Sequence, residues 1–304
     1  MPIITVEHLE KHYGKKRGVS DISFSIDENE IFGMVGPNGA GKTTTIECSL
    51  GIRKRDSGKV QILGFDPIVD RNRVFSNVGI QLQETSYPDK ARVNEICSLM
   101  SSFYETPLSY LDLLKEFELE DKRNAFISDL SGGQRQRLAI ILALIPDPRI
   151  VIFDELTTGL DPQARRAMWT YIKDLKKRGI TVFLTTHFME EAETLCDKLA
   201  FVVNGSITHI DTVPNIIKSC SLKSRIEIST EKTFIKQLKA RLEHVSCVID
   251  THGQLIIDYE NTHSLLHVVR LIDEYNIPIR NLSVKTPTLD DAYLKLTASP
   301  MEAK

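Results

Sequence analysis

Eight residues, Gly36-Pro-Asn-Gly-Ala-Gly-Lys-Thr43, have the GxxxxGK[ST] spacing of a loop that cradles phosphate. Gly36, Gly39 and Gly41 let backbone N–H groups turn inward around phosphate oxygens, with Pro37, Asn38 and Ala40 completing the loop. A helix opening after the loop adds a favourable dipole. Lys42 is placed to reach the β- and γ-phosphates of a nucleoside triphosphate, the Thr43 hydroxyl to bind Mg²⁺, and Thr44 to donate to the α-phosphate. The competing reading is an ordinary Gly-rich turn. At average residue frequencies the pattern arises in roughly one chain in a hundred of this length, and a strand before it with a helix after it weighs further against chance.

IVIFDE at 150–155 supplies a second set of groups. Asp154 at a strand's end would position Mg²⁺, through water. Glu155 would point elsewhere, because successive strand residues alternate, and could polarise a water for in-line attack on a γ-phosphate. An acidic pair at a strand end is weak evidence alone and strong evidence beside a phosphate loop. His187 ends another buried strand; a lone His there is more often structural, but a carboxyl strand end is where α/β proteins place ligand groups. Gln83, after the strand NVGIQL, has the same claim, with Gln81 as its competitor. Tyr13, before Gly14, could stack on a base or serve as a turn aromatic.

A second anion grip is spelled by LSGGQRQRL at 130–138: Ser131, Gly132, Gly133 and Gln134 open a helix. One mononucleotide needs one such loop, so the second implies a further role.

The elements that must carry these groups follow from periodicity. Residues 1–30 alternate apolar and polar, as antiparallel strands do, with a turn at YGKKRG. IFGMVG, RIVIFDE and ITVFLTTH read as buried strands. TTTIECSLGI, QARRAMWTYIKDLKKRG (closed by Gly179) and FMEEAETLCDK read as helices. DSGKVQILG and NVGIQL are shorter strands, and KLAFVVNGSIT is a hairpin turning at Asn-Gly. Residues 91–129 have helical spacing, with Leu111, Leu114 and Phe117 expected on one face. Alternating strands and helices predict an α/β domain with a largely parallel sheet. Near residue 220 the pattern changes to β-α-β-β-α-β, which predicts a small ferredoxin-like domain with strands around Gly253.

The chain has 304 residues, net charge −3 and 26% charged residues, so no basic footprint for nucleic acid or an anionic membrane is present and no nucleic-acid partner is expected. Cys48, Cys97, Cys196, Cys220 and Cys247 are scattered without CxxC or His/Cys clustering, which points to reduced thiols. His244, His252, His263 and His267 have no spacing that makes a metal set. The opening MPIITVEHLEK lacks the basic start and apolar run of a secretory leader. The apolar run LAIILALI at 138–145 is far shorter than the about 20 residues a membrane helix needs. A cytoplasmic protein that reaches the inner face of the membrane through a partner is the expectation.

The order YG at Tyr13, GPNGAGKT, Gln83, LSGGQRQRL, VIFDE, TGLD at 158–161 and His187 resembles the ATP-binding subunits of ABC transporters over about residues 3–215. GTPases, small-molecule kinases and RecA-like ATPases share only the phosphate loop and the acidic strand. The resemblance implies a P-loop NTPase cassette of the α/β class: a RecA-like mixed sheet, an antiparallel β subdomain and a helical subdomain at about 88–145. The cassette would span 1–218, and an accessory α+β domain 219–304. It implies Tyr13 on adenine, Gly36–Thr44 on the triphosphate, Gln83 and Asp154 in the Mg²⁺ and water shell, Glu155 as general base and His187 on the γ-phosphate. Gln83 is preferred to Gln81 on this alignment. Ser131, Gly132, Gly133 and Gln134 would grip the ATP held by a second subunit, and Asp161 would cross to that subunit. A homodimer, or a heterodimer with a paralogue, working with membrane-spanning permease subunits is implied. Leu156 stands where the family usually has Pro, which implies altered loop stiffness with the chemistry intact. The stretches HFMEEAETLCDKLAFVVNGSI and TLDDAYLKLT are similar to those of exporters of the drug- and antibiotic-resistance kind.

Two other functions compete. A soluble ABC ATPase acting on DNA or ribosomes would carry long coiled coils between the two loops or a second cassette; neither is in the sequence. A non-enzymatic ATP-binding regulator is disfavoured by Glu155. The C-terminal segment, with no catalytic constellation, reads as a dimerisation or regulatory domain.

Overall fold

The computed structural model describes residues 2–14, 16–83, 87–88, 90–242, 247–249, 254–259 and 262–298. His244, His252 and Gly253 lie outside the described residues. The chain divides into two compact units, Met1–Val213 and Pro214–Lys304. The division falls at the start of a helix, ahead of the change in composition near residue 220.

In the first unit, β1 (Pro2–Tyr13) and β2 (Lys16–Asp27) pair antiparallel, and β4 (Ser57–Ile62) joins the other edge of β1. Alternation sends Ile4 and Val6 from β1 and Ile22, Phe24 and Ile26 from β2 into the core. The main sheet has six strands in the order β5-β6-β7-β3-β8-β9. They are β3 (Ile31–Val35), β5 (Val78–Gln81), β6 (Ile150–Asp154), β7 (Thr181–Thr186), β8 (Lys198–Val203) and β9 (Ser206–Thr212). All neighbours are parallel except β8 and β9. Strands β3, β6 and β7 are buried along their whole length, as near-continuous apolar runs require in a parallel sheet covered on both faces. Phe24 and Phe183 pack on Phe32 with ring centroids 5.3 and 5.7 Å away, tying the antiparallel layer to the main sheet. The β8–β9 turn has Asn204 and Gly205 both at positive φ, the requirement of a two-residue type I′ hairpin.

The helices of this unit are α1 (Lys42–Ser49), α2 (Arg71–Phe75), α3 (Val93–Ser101), α4 (Tyr110–Glu116), α5 (Gly132–Leu144), α6 (Pro162–Lys177) and α7 (Met189–Leu195). Residues Leu138–Leu144 of α5 are all buried, so LAIILALI is an interior helix. It lies so close to β5 that a Cβ on Gly79 would meet the Ala143 carbonyl oxygen at 1.9 Å, a position open only to glycine. Among the described residues no helix is long and apolar enough to cross a membrane. One face expectation fails. Leu111 is 43% exposed, and Leu113, Leu114 and Phe117 are the buried set. At about 100° per residue those three fall within one arc of roughly 100°, and Leu111 lies outside it.

The second unit contains β10 (Ser224–Ser229), α9 (Lys232–Arg241), β11 (Cys247–Ile249), β12 (Leu255–Tyr259), α10 (Thr262–Glu274), β13 (Asn281–Lys285) and α11 (Leu289–Ala298), preceded by α8 (Val213–Ser219). Its sheet order, β11-β12-β10-β13, is antiparallel throughout, the split β-α-β arrangement of a ferredoxin-like domain. Ile226, Ile228, Leu238, Leu255, Ile257 and Val268 form its own core. His263 and His267 are exposed on α10, and no cluster able to hold a metal occurs among the described residues.

Candidate functional site

The phosphate loop joins β3 to α1. Gly41 caps α1 at φ 108° without a side-chain cap, so the first-turn N–H groups, which have no intrahelical acceptor, are open to a ligand. That φ is in the region glycine alone adopts freely, and a Cβ there would also stand 2.8 Å from Val19 Cγ1. Lys42 is 4% exposed. Its Nζ donates to the Gly36 and Pro37 carbonyl oxygens at 2.9 and 3.2 Å and pairs with Glu155 Oε1 at 3.1 Å. A cavity of about 460 Å³ lies over the loop, lined by Tyr13, Asn38, Gly39, Gly41, Lys42, Thr43, Thr44, Gln83 and Glu155. Tyr13 is 41% exposed at its rim, with its hydroxyl 3.3 Å from Thr44 Oγ1. Arg53 sits over the Tyr13 ring at 5.3 Å.

Asp154 is the last residue of β6 and is fully buried. Its Oδ1 accepts from the Thr185 hydroxyl, the Thr43 hydroxyl also supports it, and Oδ2 has no partner. Burial pushes its pKa up and the Glu155 charge adds to the rise; the Thr185 and Thr43 hydroxyls and Lys42 oppose it. An orphaned, buried carboxylate oxygen beside a threonine hydroxyl is the oxygen donor set a small divalent cation takes. The residues therefore fit Mg²⁺.

Strand β6 ends at Asp154, and Glu155 has φ 51°, the left-handed region. This turn, rather than strand alternation, swings the Glu155 carboxylate away from Asp154. The Glu155 N–H is held between the Thr185 carbonyl and hydroxyl oxygens at 3.2 and 3.1 Å. Its carboxylate accepts from Gln83 Nε2 at 3.3 Å and from the Thr158 hydroxyl at 3.4 Å, in addition to the Lys42 pair. His187, just past β7, has Nδ1 3.6 Å from Glu155 Oε2, beyond hydrogen-bond reach, and that nitrogen has no partner. Gln83 also lies 3.4 Å from the Thr43 hydroxyl. Gln81 is turned instead to the Leu82 carbonyl oxygen.

The second grip stands apart. Ser131 caps α5 in a reciprocal capping box: its Oγ accepts from the Gln134 N–H at 3.3 Å, and Gln134 Oε1 accepts from the Ser131 N–H at 2.9 Å. Neither residue lines the phosphate cavity. Gly132 lines a neighbouring groove of about 420 Å³ shared with Gln83, and Gly133 and Asp161 line a third hollow. Asp161 caps α6, accepting from the Ala164 N–H at 2.9 Å, with Pro162 in the first turn. Leu156 is buried beside Glu155. Sequence reasoning missed Thr185 and Thr158. The signal for Thr185 was a hydroxyl inside an otherwise apolar buried strand, where a polar group must find a partner.

The fold and these groups define a nucleotide-binding P-loop cassette. The profile of the ABC transporter family matches residues 19–158. The chain is 41% identical over 209 residues to a Nod factor export ATP-binding protein I of Ralstonia nicotianae, covering 67% of this chain and 65% of that protein. It is 33% identical over 307 residues to the protein of the same description from Rhizobium etli, covering 99% and 95%. Among solved structures, a bacterial ABC transporter cassette described as a dimer aligns with a TM-score of 0.63 and 25% identity, over 69% of this chain and 98% of that one. The chain belongs to the family of ABC transporter ATP-binding subunits. Subunits of this class bind ATP, dimerise and work with membrane permease components.

Proposed function

We propose that this chain hydrolyses ATP to drive export through separately encoded membrane subunits, acting as a dimer on the cytoplasmic face of the membrane. The observation that carries the reading is the division of groups. Lys42, Glu155 and Gln83 meet at one cavity, whereas Ser131 stands outside it with a helix N-terminus beside it. A second copy laid head to tail brings the Ser131 grip of one chain to the ATP held by Lys42 of the other. The names of the relatives favour export over import. Drug, antibiotic and lipid-like molecules are the candidate cargo classes.

In this reading the triphosphate draws Lys42 off Glu155 and off the Gly36 and Pro37 carbonyls. Charge-assisted bonds to phosphate then replace bonds to the loop itself. Tyr13 stacks on adenine. Thr43, Asp154 and Gln83 would hold Mg²⁺, which would supply positive charge to offset that of the triphosphate. Glu155, released from Lys42, takes the proton of the attacking water. His187 offers its unpartnered Nδ1 to the γ-phosphate. Asp161 reaches the partner subunit from the start of α6. Residues 219–304 serve as an accessory regulatory domain. Gel filtration of Glu155→Gln tests the dimer. With ATP and Mg²⁺ it should elute as a dimer and without nucleotide as a monomer; a monomer under both conditions rejects the head-to-tail reading.

A further inference from the structure

Outside the phosphate site, one buried acid ties its own helix to two other segments. Glu191, in α7 four residues after His187, is 3% exposed. Its Oε1 accepts from the Thr157 hydroxyl at 2.7 Å and from the Trp169 indole N–H at 2.9 Å. Thr157 is 1% exposed and Trp169 is 7% exposed. Thr157 lies two residues after Glu155, inside the turn in which the Thr158 N–H donates to the Glu155 carbonyl oxygen and the Leu160 N–H to the Thr157 carbonyl oxygen. Trp169 lies in α6, which Asp161 caps. The same turn thus carries Glu155 at its start, Thr158 on the Glu155 carboxylate and Asp161 at its end.

We propose that Glu191 is a positioning residue for ATP hydrolysis: it fastens the turn between Glu155 and Asp161, and the α6 helix beyond it, to the helix that follows His187. The inference rests on the reading of this site as an ATPase. A carboxylate oxygen shared by two buried donors fixes both without a side chain of its own in the nucleotide cavity. Removing the acceptor strands a hydroxyl and an indole N–H in a dry interior, and the turn must then move to satisfy them. Gly36–Thr44 lie outside that turn, and Lys42 meets it only through the Glu155 pair, which the triphosphate replaces. Glu191 therefore sets turnover rather than ATP affinity.

Trp169 is the chain's only tryptophan, so its emission reads one half of the link directly. The experiment measures phosphate release and tryptophan emission on the full chain, for wild type, Glu191→Leu, Glu191→Gln and Thr157→Val, at a temperature where each is shown to be folded. Glu191→Leu should shift the emission and lower kcat by about tenfold or more with KM for ATP within about twofold. Glu191→Gln, which keeps an acceptor oxygen, should restore both. Thr157→Val cuts only the turn's half of the link and should lower kcat by about tenfold while leaving the emission as in wild type. If Glu191→Leu does not fold, Glu191→Gln and Thr157→Val decide. Wild-type kcat in Thr157→Val, or variants that lose melting temperature alone, overturns the proposal. Absence of phosphate release by wild type in the same assay rejects the ATPase reading instead, so the two failures are told apart.

Discussion

Replacing Asp154 by Asn should make the nucleotide-free protein more stable while abolishing Mg²⁺-dependent turnover. Asp154 is fully buried, one carboxylate oxygen has no partner, and burial holds its pKa above the usual carboxylate range. A buried charge compensated only in part carries a desolvation penalty of several kcal/mol, of which Lys42 and the two hydroxyls return a share. Removing the charge should return about 2 kcal/mol, or roughly 4–8 °C in melting temperature for a unit of this size. The sign with pH follows from linkage. The folded pKa is raised, so the folded state holds its proton longer than the unfolded state does, and the wild type loses stability as pH rises. The gap between variant and wild type should vanish below the ordinary carboxylate range. It should widen as pH climbs toward the folded pKa and be full above it. The assay is thermal unfolding of the full chain with EDTA and no nucleotide, followed by emission of Trp169, which lies in the cassette unit. A variant melting at or below wild type at pH 8, or a gap that widens toward acid pH, refutes the reasoning. Confirmation would mean that a metal-binding carboxylate is kept at a cost in stability.

Three further outcomes follow from the site. Lys42→Ala should weaken ATP binding by at least about tenfold in calorimetric titration, because the loop loses its one buried ammonium; unchanged affinity removes Lys42 from the triphosphate. Gly41→Ala places a Cβ at φ 108° and 2.8 Å from Val19, so about 1–3 kcal/mol of strain should appear as a lower melting temperature together with weaker ATP binding. Ser131→Arg should leave ATP binding by the single chain intact in filter binding, yet prevent the ATP-dependent dimer in gel filtration and lower turnover at least about tenfold.

Much of this was legible because some residue types have few uses. A lysine after GxxxxG at a strand-to-helix junction has one common purpose, and short β-branched and aromatic runs such as IVIF and TVFL read as interior strands. The parallel strands, their helices, the Asn-Gly hairpin and the split β-α-β order of the second unit could all be read from period and turn chemistry. What could not be read depends on long-range partners. The left-handed φ of Glu155 has no local mark; the Glu155 N–H is held by Thr185, thirty residues on. The burial of Leu113 in place of Leu111 depends on what α4 packs against. The Lys42–Glu155 ion pair joins two motifs that were each legible but whose contact in the absence of nucleotide was not. Glu191 carries no mark of its own in FMEEAETLCDK, because its partners Thr157 and Trp169 are 34 and 22 residues away.

The most direct test of hydrolysis at this site is the rate of phosphate release from ATP and Mg²⁺ by the purified full chain beside Glu155→Gln. Release by wild type, with a loss of about a hundredfold or more in Glu155→Gln while ATP binding persists, is the predicted result. Release at the wild-type rate by Glu155→Gln would contradict it and remove Glu155 as the base.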